Sequence, residues 1–227
     1  MGTAYNTNIV TDGLVLCLDA ANPRSYPGSG TTWYDLLGNG NNGTLVNSPT
    51  FSFTNRGVFD FDGTNDYVAC GNLDSYLTGI TDVSFMTYVS TDIVDSNTHI
   101  IAGRYEGSNG WEMFIHSTNV LRWGGRENTS LFISVDSSFQ LNTNRWYFFA
   151  GTKQGNVWNL YVDGDLHNST TAGNGTTTFV SKPLSIGRQF SSLYWNGQIA
   201  NSLVYNRALS ANEVKQNFNA TRGRYGI

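Results

Sequence analysis

Arg145-Trp146-Tyr147-Phe148-Phe149-Ala150-Gly151-Thr152-Lys153-Gln154-Gly155-Asn156-Val157-Trp158-Asn159-Leu160-Tyr161-Val162 is the stretch that decides the fold. Trp146, Phe148 and Ala150 alternate with Tyr147 and Phe149, the period of a strand whose side chains point to opposite faces. Gln154-Gly155-Asn156 then turns the chain into a second strand, Val157 to Val162, which makes a β-hairpin. Asp163-Gly164 follows at once. That dipeptide accepts φ > 0 at both central positions of a type I′ turn, so a third strand is expected to run back from Asp165.

Working outward, the apolar runs are short and strand-like nearly throughout: Leu14 to Leu18, Val58 to Phe61, Val83 to Val89, His99 to Ala102, Trp111 to Ile115 and Ile199 to Tyr205. Turn residues punctuate every gap, and many short strands at this spacing read as an all-β sandwich or barrel. One helix stands out. Ser210-Ala211-Asn212-Glu213 is a capping box, and Val214 and Phe218 lie four apart on one helical face, so a short C-terminal helix is expected to pack on the sandwich edge. The expected organisation is an N-terminal arm over 1–12, one sandwich domain over 13–220 and a small basic tail over 221–227.

The chain has 227 residues, with 13 Lys+Arg against 17 Asp+Glu and a formal charge of -4. Such a balance supplies no basic stripe to release counterions, so no nucleic-acid partner is expected. No apolar run approaches the roughly 20 residues that span a bilayer, so no membrane partner is expected either. Met1 to Asn8 has neither a basic nor an apolar segment and does not read as a secretory leader. Cys17 and Cys70 sit inside apolar runs and read as small buried hydrophobes.

Trp33-Tyr34-Asp35-Leu36 with Gly38-Asn39, Asn42-Gly43 and Leu45, followed by Phe61-Asp62-Gly63-Thr64-Asn65-Asp66-Tyr67-Val68, resembles the N-terminal half of the concanavalin A-like, laminin-G-type domains. Trp158 to Gly164, Leu184-Ser185-Ile186-Gly187 and Trp195-Asn196-Gly197-Gln198-Ile199 through Ser210 resemble the family's later strands and helix cap. The resemblance implies a two-sheet antiparallel β-sandwich, a concanavalin A-like jelly roll, with one short C-terminal helix. It also implies a domain used for binding carbohydrate or protein. The wording of Leu14 to Pro23 and of Asn217 to Arg222 is similar to laminin-G-type domains of bacteriophage virion proteins. One departure is that relatives outside viruses often carry an acidic residue after the Gly-x-Ile of the closing strand, where this chain has Ala200.

Catalytic chemistry finds little material. The glutamates are Glu106, Glu112, Glu127 and Glu213, and none falls in the Glu-x-Asp-x-Glu strand of catalytic relatives. There is no Gly-x-Ser-x-Gly elbow, and His99, His116 and His167 have no spacing that ties them to a nucleophile. No enzyme and no cofactor are therefore expected. Asp62, Asn65 and Asp66 offer three oxygens in a Gly-containing turn, but Asx-rich turns more often satisfy their own amides, and no metal ligand is assigned. Sugar binding needs aromatic platforms beside amide or guanidinium donors. Two segments qualify by content, Trp123-Gly124-Gly125-Arg126, read as a loop after a strand, and Tyr194-Trp195-Asn196. Trp123, Arg126, Tyr194 and Trp195 are the candidate glycan- or partner-binding residues, although in a sandwich this aromatic both tryptophans also fit the core.

The expected function is a non-enzymatic virion protein of a tailed bacteriophage, a capsid-decoration, neck or tail component displayed in multiple copies. Its expected partners are other virion proteins, docked through the terminal arms, together with further copies of itself and host-surface glycan. The alternative is a free carbohydrate-binding module or adhesin domain of a bacterium.

Overall fold

The computed structural model describes residues 8–71, 73–105, 109–127, 131–175, 179, 181–189 and 192–227. In chain order the first strands are β1 (Leu14–Asp19), β2 (Thr32–Trp33), β3 (Gly43–Val46), β4 (Thr50–Ser52), β5 (Val58–Asp62) and β6 (Tyr67–Cys70). After the single turn of α1 (Asp74–Leu77) come β7 (Val83–Thr91), β8 (His99–Tyr105), β9 (Gly110–Ile115), β10 (Val120–Glu127) and β11 (Leu131–Gln140). The chain continues through β12 (Trp146–Gln154), β13 (Val157–Val162), β14 (Asp165–Thr171), β15 (Ser185–Ile186), β16 (Arg188–Gln189), β17 (Leu193–Tyr194) and β18 (Asn196–Tyr205) to α2 (Ala211–Thr221).

Two antiparallel sheets form the sandwich. The front sheet runs β14-β13-β12-β7-β18-β5-β4, with β1 also on β18, and the back sheet runs β11-β10-β9-β8-β15-β6-β3-β2. The deciding hairpin is present: Gln154 pairs with Val157, and Gly155 takes φ 54° at the first turn position. Asp163 and Gly164 both have positive φ, 50° and 82°, and β14 runs back from Asp165 as the type I′ pattern requires.

Alternation in β12 feeds two different cores. Tyr147 and Phe149 point between the sheets, where they join Phe85, Trp111, Trp123, Trp158 and Trp195. Phe148 and Ala150 point the other way, into a second cluster with Met86, Tyr88, Leu203, Val214, Phe218 and Tyr225. The front sheet is therefore a middle layer, which is why β7 is buried along its whole length. The cap of α2 is as expected: Ser210 Oγ accepts from the Glu213 amide, and the Glu213 carboxylate accepts from the Ser210 amide at 2.8 Å. The helix lies over the outer face of the front sheet and not on its edge, because that face is apolar at Met86, Tyr88 and Phe148 and needs a cover.

The described parts of the segments expected as arms belong to this layer. Residues 1–7 lie outside the described residues. From there, the Val10 amide donates to Asn217 Oδ1 at 2.8 Å, Val10 O accepts from Tyr205 Oη at 2.9 Å, and Val10 itself is buried. At the other end the Tyr225 ring stacks on Tyr88 at 4.3 Å, and Arg224 pairs with Asp19 at 2.7 Å. Apolar side chains at Val10 and Tyr225 fix the described parts of both segments, residues 8–12 and 222–227, to the chain's own sheet.

The closing strand explains Ala200. On one side β18 pairs along β7; on the other it pairs with β5 through Ile199 and with β1 from Asn201 onward, with a register shift between Ile199 and Asn201. Ala200 sits in this bulge, fully buried, and Asn201 Oδ1 takes up the Tyr88 amide at 2.9 Å. Cys17 and Cys70 are buried free thiols, both pushed up to about 12, first by burial.

Candidate functional site

The segment Trp123 to Arg126 is the middle of β10, not a loop. Its glycines are there because the backbones approach closely: a Cβ on Gly124 would lie 2.3 Å from Ile133 O, and one on Gly125 would lie 2.0 Å from Gly110 O. Trp123 pairs with Met113 and Val135, all three in the inter-sheet core, and is fully buried with its Nε1 donating to Thr152 O at 3.3 Å. Trp195 is likewise fully buried in that core. Neither indole can present a face to a sugar.

Alternation places the neighbours of Trp123 on the outer face of the back sheet. Arg122 stands in register with Phe114 and Asp136, Gly124 with Glu112 and Ser134, and Arg126 with Gly110 and Phe132. Arg126 is thus on this face, two residues along β10 from Gly124, while Tyr194 is elsewhere. The structure separates the two sequence-derived candidates that stay outside the core.

Glu112 is the residue that sequence reading passed over. It lies between Gly103 on β8 and Gly124 on β10, so no side chain flanks it in register on the adjacent strands. It is 5% exposed, and its Oε2 has no hydrogen-bond partner among the described residues. Burial pushes its carboxyl up to about 7, against the pull of the Arg126 and Arg122 charges. The signal was available in the alternation of Trp111-Glu112-Met113-Phe114-Ile115: Trp111, Met113 and Ile115 are core residues, so Glu112 shares the outer face with Phe114.

Around Glu112 the groups are fixed. Arg122 Nε and Nη2 donate to Asp136 Oδ1 and Oδ2, each at 2.7 Å, a two-point pair. The same guanidinium lies 5.7 Å from the Phe114 ring centre, and Phe114 is 6.3 Å from Phe132, which is half-buried. His116 bonds Thr118 Oγ1 at 3.0 Å, and burial followed by the Arg122 charge pulls its imidazole down. This face combines aromatic carbon, guanidinium donors and a carboxyl lacking a partner.

Tyr194 lines a concavity of about 210 Å³ with Gly63, Asn97, Thr98, His99, Ser192 and Leu193. Its polar groups are mostly engaged with each other: His99 Nε2 lies 2.9 Å from Asp95 Oδ1 and Nδ1 lies 3.1 Å from Tyr194 O, while Asn97 Nδ2 donates to Asp95 Oδ2 at 2.9 Å. In the nearby Asx turn, Asp62 Oδ1 accepts from the amides of Thr64 at 2.8 Å and Asn65 at 3.1 Å. Of the other glutamates, Glu213 caps α2, Glu106 lies outside the described residues, and Glu127 closes β10.

A two-sheet antiparallel jelly roll with a polar and aromatic outer face is the architecture of lectin-like sandwich domains. The sequence profile of the concanavalin A-like lectin/glucanases superfamily, laminin-G type, matches residues 62–215, and the chain belongs to that family. Among curated proteins no sequence relative matches it significantly. Solved structures share the fold at low identity. The receptor binding domain of botulinum neurotoxin D aligns with a TM-score of 0.73 at 16% identity, over 91% of this chain and 52% of that one. The serotype D ligand binding domain in complex with N-acetylneuraminic acid aligns with a TM-score of 0.73 at 16% identity, over 91% of this chain and 50% of that one. A Trypanosoma rangeli sialidase aligns with a TM-score of 0.68 at 15% identity, over 96% of this chain and 34% of that one. The chain spans about half the length of the toxin domains and about a third of the sialidase.

Proposed function

We propose that this chain is a non-enzymatic glycan-binding sandwich domain of a tailed-bacteriophage virion, carried in multiple copies on capsid, neck or tail, with the glycan on the outer face of the back sheet. The observation that carries the glycan reading is the Glu112 carboxyl, buried with Oε2 lacking a partner among the described residues. Such an oxygen is costly to bury, and a rotation of the Glu112 side chain that brings it to the surface lets a sugar hydroxyl supply the missing donor. Phe132 offers carbon to the apolar face of a pyranose, and Arg122 and Arg126 bring guanidinium groups to its hydroxyl rim. The toxin domain bound to N-acetylneuraminic acid is a precedent for the fold and not for the position.

The non-enzymatic reading is supported by the state of Asp136. Glycoside hydrolysis needs two carboxyls facing one bond, and the Asp136 carboxylate on this face is held by both ends in its pair with Arg122. The virion reading rests on the similarity of Leu14 to Pro23 and Asn217 to Arg222 to phage domains. A free carbohydrate-binding module or bacterial adhesin domain is the alternative.

A glycan array followed by titration calorimetry tests the binding. Selective binding that weakens at least tenfold in Glu112→Ala and in Arg122→Ala, both still folded by thermal melting, is the expected result. No selective glycan, or unchanged affinity in both variants, overturns the assignment. Mass spectrometry of purified particles tests the location: presence of the chain at a fixed copy number is expected, and absence leaves the free module.

A further inference from the structure

A basic concavity lies on the other side of the molecule, in the layer that covers the front sheet. It measures about 260 Å³ and is lined by Arg56, Ala220, Thr221, Gly223 and Arg224. Two of these five carry guanidinium groups and none carries a carboxylate. On a chain with a formal charge of -4, Arg56 and Arg224 meet at this concavity. The Arg56 side chain is exposed and has no partner among the described residues.

The two walls are tied together. Asn55, with its amide turned to suit both neighbours, donates to Arg224 O at 3.2 Å and accepts from Trp146 Nε1 at 2.8 Å. Asn55 and Arg56 both hold left-handed backbone, φ 50° and 75°, a conformation an arginine adopts only where its surroundings impose it. Arg224 is braced from behind by Asp19, whose two oxygens take Nη1 at 3.0 and 2.7 Å and leave Nε and Nη2 outside that pair. At the carbonyl end of α2, which is unfavourable for an anion, Phe218 O accepts from the Arg222 amide and from Tyr88 Oη at 2.9 Å.

We propose that this concavity binds a small oxyanion, a sulfate or phosphate group, between Arg56 and Arg224. Guanidinium forks match the oxygen geometry of both groups, and the fixed backbone at Arg56 holds the root of its side chain at the rim of the concavity. The group can arrive as a free ion or as a sulfate ester on a saccharide. The site is independent of the Glu112 face.

Amide-resolved NMR titration of the full chain with sodium sulfate, sodium phosphate and galactose 6-sulfate, at ionic strength held constant with sodium chloride, tests the proposal. Saturable shifts at Thr221, Gly223 and Arg224 are expected, with affinity about tenfold weaker in Arg56→Asn. Asparagine tolerates the left-handed backbone, so this variant removes the charge without straining the turn. Tighter binding of the ester than of either ion supports the site with a saccharide source, and equal binding supports it with a free ion. Absence of saturable shifts with all three probes, or unchanged affinity in Arg56→Asn, overturns it. Glu112→Ala is expected to leave these shifts intact, which separates this site from the glycan face.

Discussion

Gly151 on β12 and Trp123 on β10 face each other across the sandwich core: a Cβ on Gly151 would lie 2.3 Å from the Trp123 indole. The two sheets close on one another at this point because one of the pair has no side chain. Gly151→Ala is expected to destabilise the domain by about 3 kcal/mol, the cost of overpacking a filled core. Trp123→Ala is expected to cost about 3–5 kcal/mol by leaving a cavity. Denaturant unfolding checks both, and a Trp123→Ala protein with near-native stability would contradict the packing.

Glu112 makes stability fall as pH rises. Its carboxyl is pushed from the ordinary 4.5 to about 7 by burial, so between those values the folded chain holds a proton the unfolded chain has lost. Glu112→Gln is therefore expected to be more stable than the natural protein at pH 8 by about 2 kcal/mol, with the gain vanishing below pH 4.5. Thermal melts of the pair across pH 4 to 8 measure the window.

The opposite sign holds at α2. The Arg207 guanidinium, which donates to Glu213 at 2.6 Å, and then the Ser210 amide, hold the Glu213 carboxyl down to about 2. That support is complete above pH 4.5 and drains away as pH falls through 2. Ser210→Ala, which removes the reciprocal cap, is expected to cost about 1 kcal/mol at neutral pH. Its effect on melting temperature should exceed that of an exposed serine such as Ser138.

Removing residues 222–227 is expected to destabilise the domain, because Tyr225 stacks on Tyr88 and Arg224 neutralises Asp19, which is mostly buried. Leaving that carboxylate unpaired costs about 2 kcal/mol or more. Arg224→Met should reproduce part of the loss, read by denaturant midpoint. A truncated chain that unfolds at the same midpoint would restore the tail as a free arm.

The hairpin through Gly155, the Asp163-Gly164 turn and the Ser210 cap were all legible in the sequence, because each is set by backbone preferences or hydrogen bonds within four residues. Arg126 was legible as a candidate because guanidinium beside aromatic residues is a matter of content. Which of the candidates face outward was not. Trp123 and Arg126 lie three apart on one strand and so point to opposite faces, and only their partners on β9 and β11 reveal which face is the core. Gly124 and Gly125 read as a loop because glycine permits one; the close backbones of Ile133 and Gly110 are why the strand needs them.

By itself the sequence determined the fold class, the strand-turn punctuation and the helix start, since periodicity and turn chemistry are local properties of the chain. Tertiary structure alone decided that the front sheet is a middle layer, that both ends of the described chain pack onto it, and that Glu112 stands buried with an unpaired oxygen between two glycines. Those facts depend on which distant segments meet, and burial, pKa and partner choice follow from that meeting.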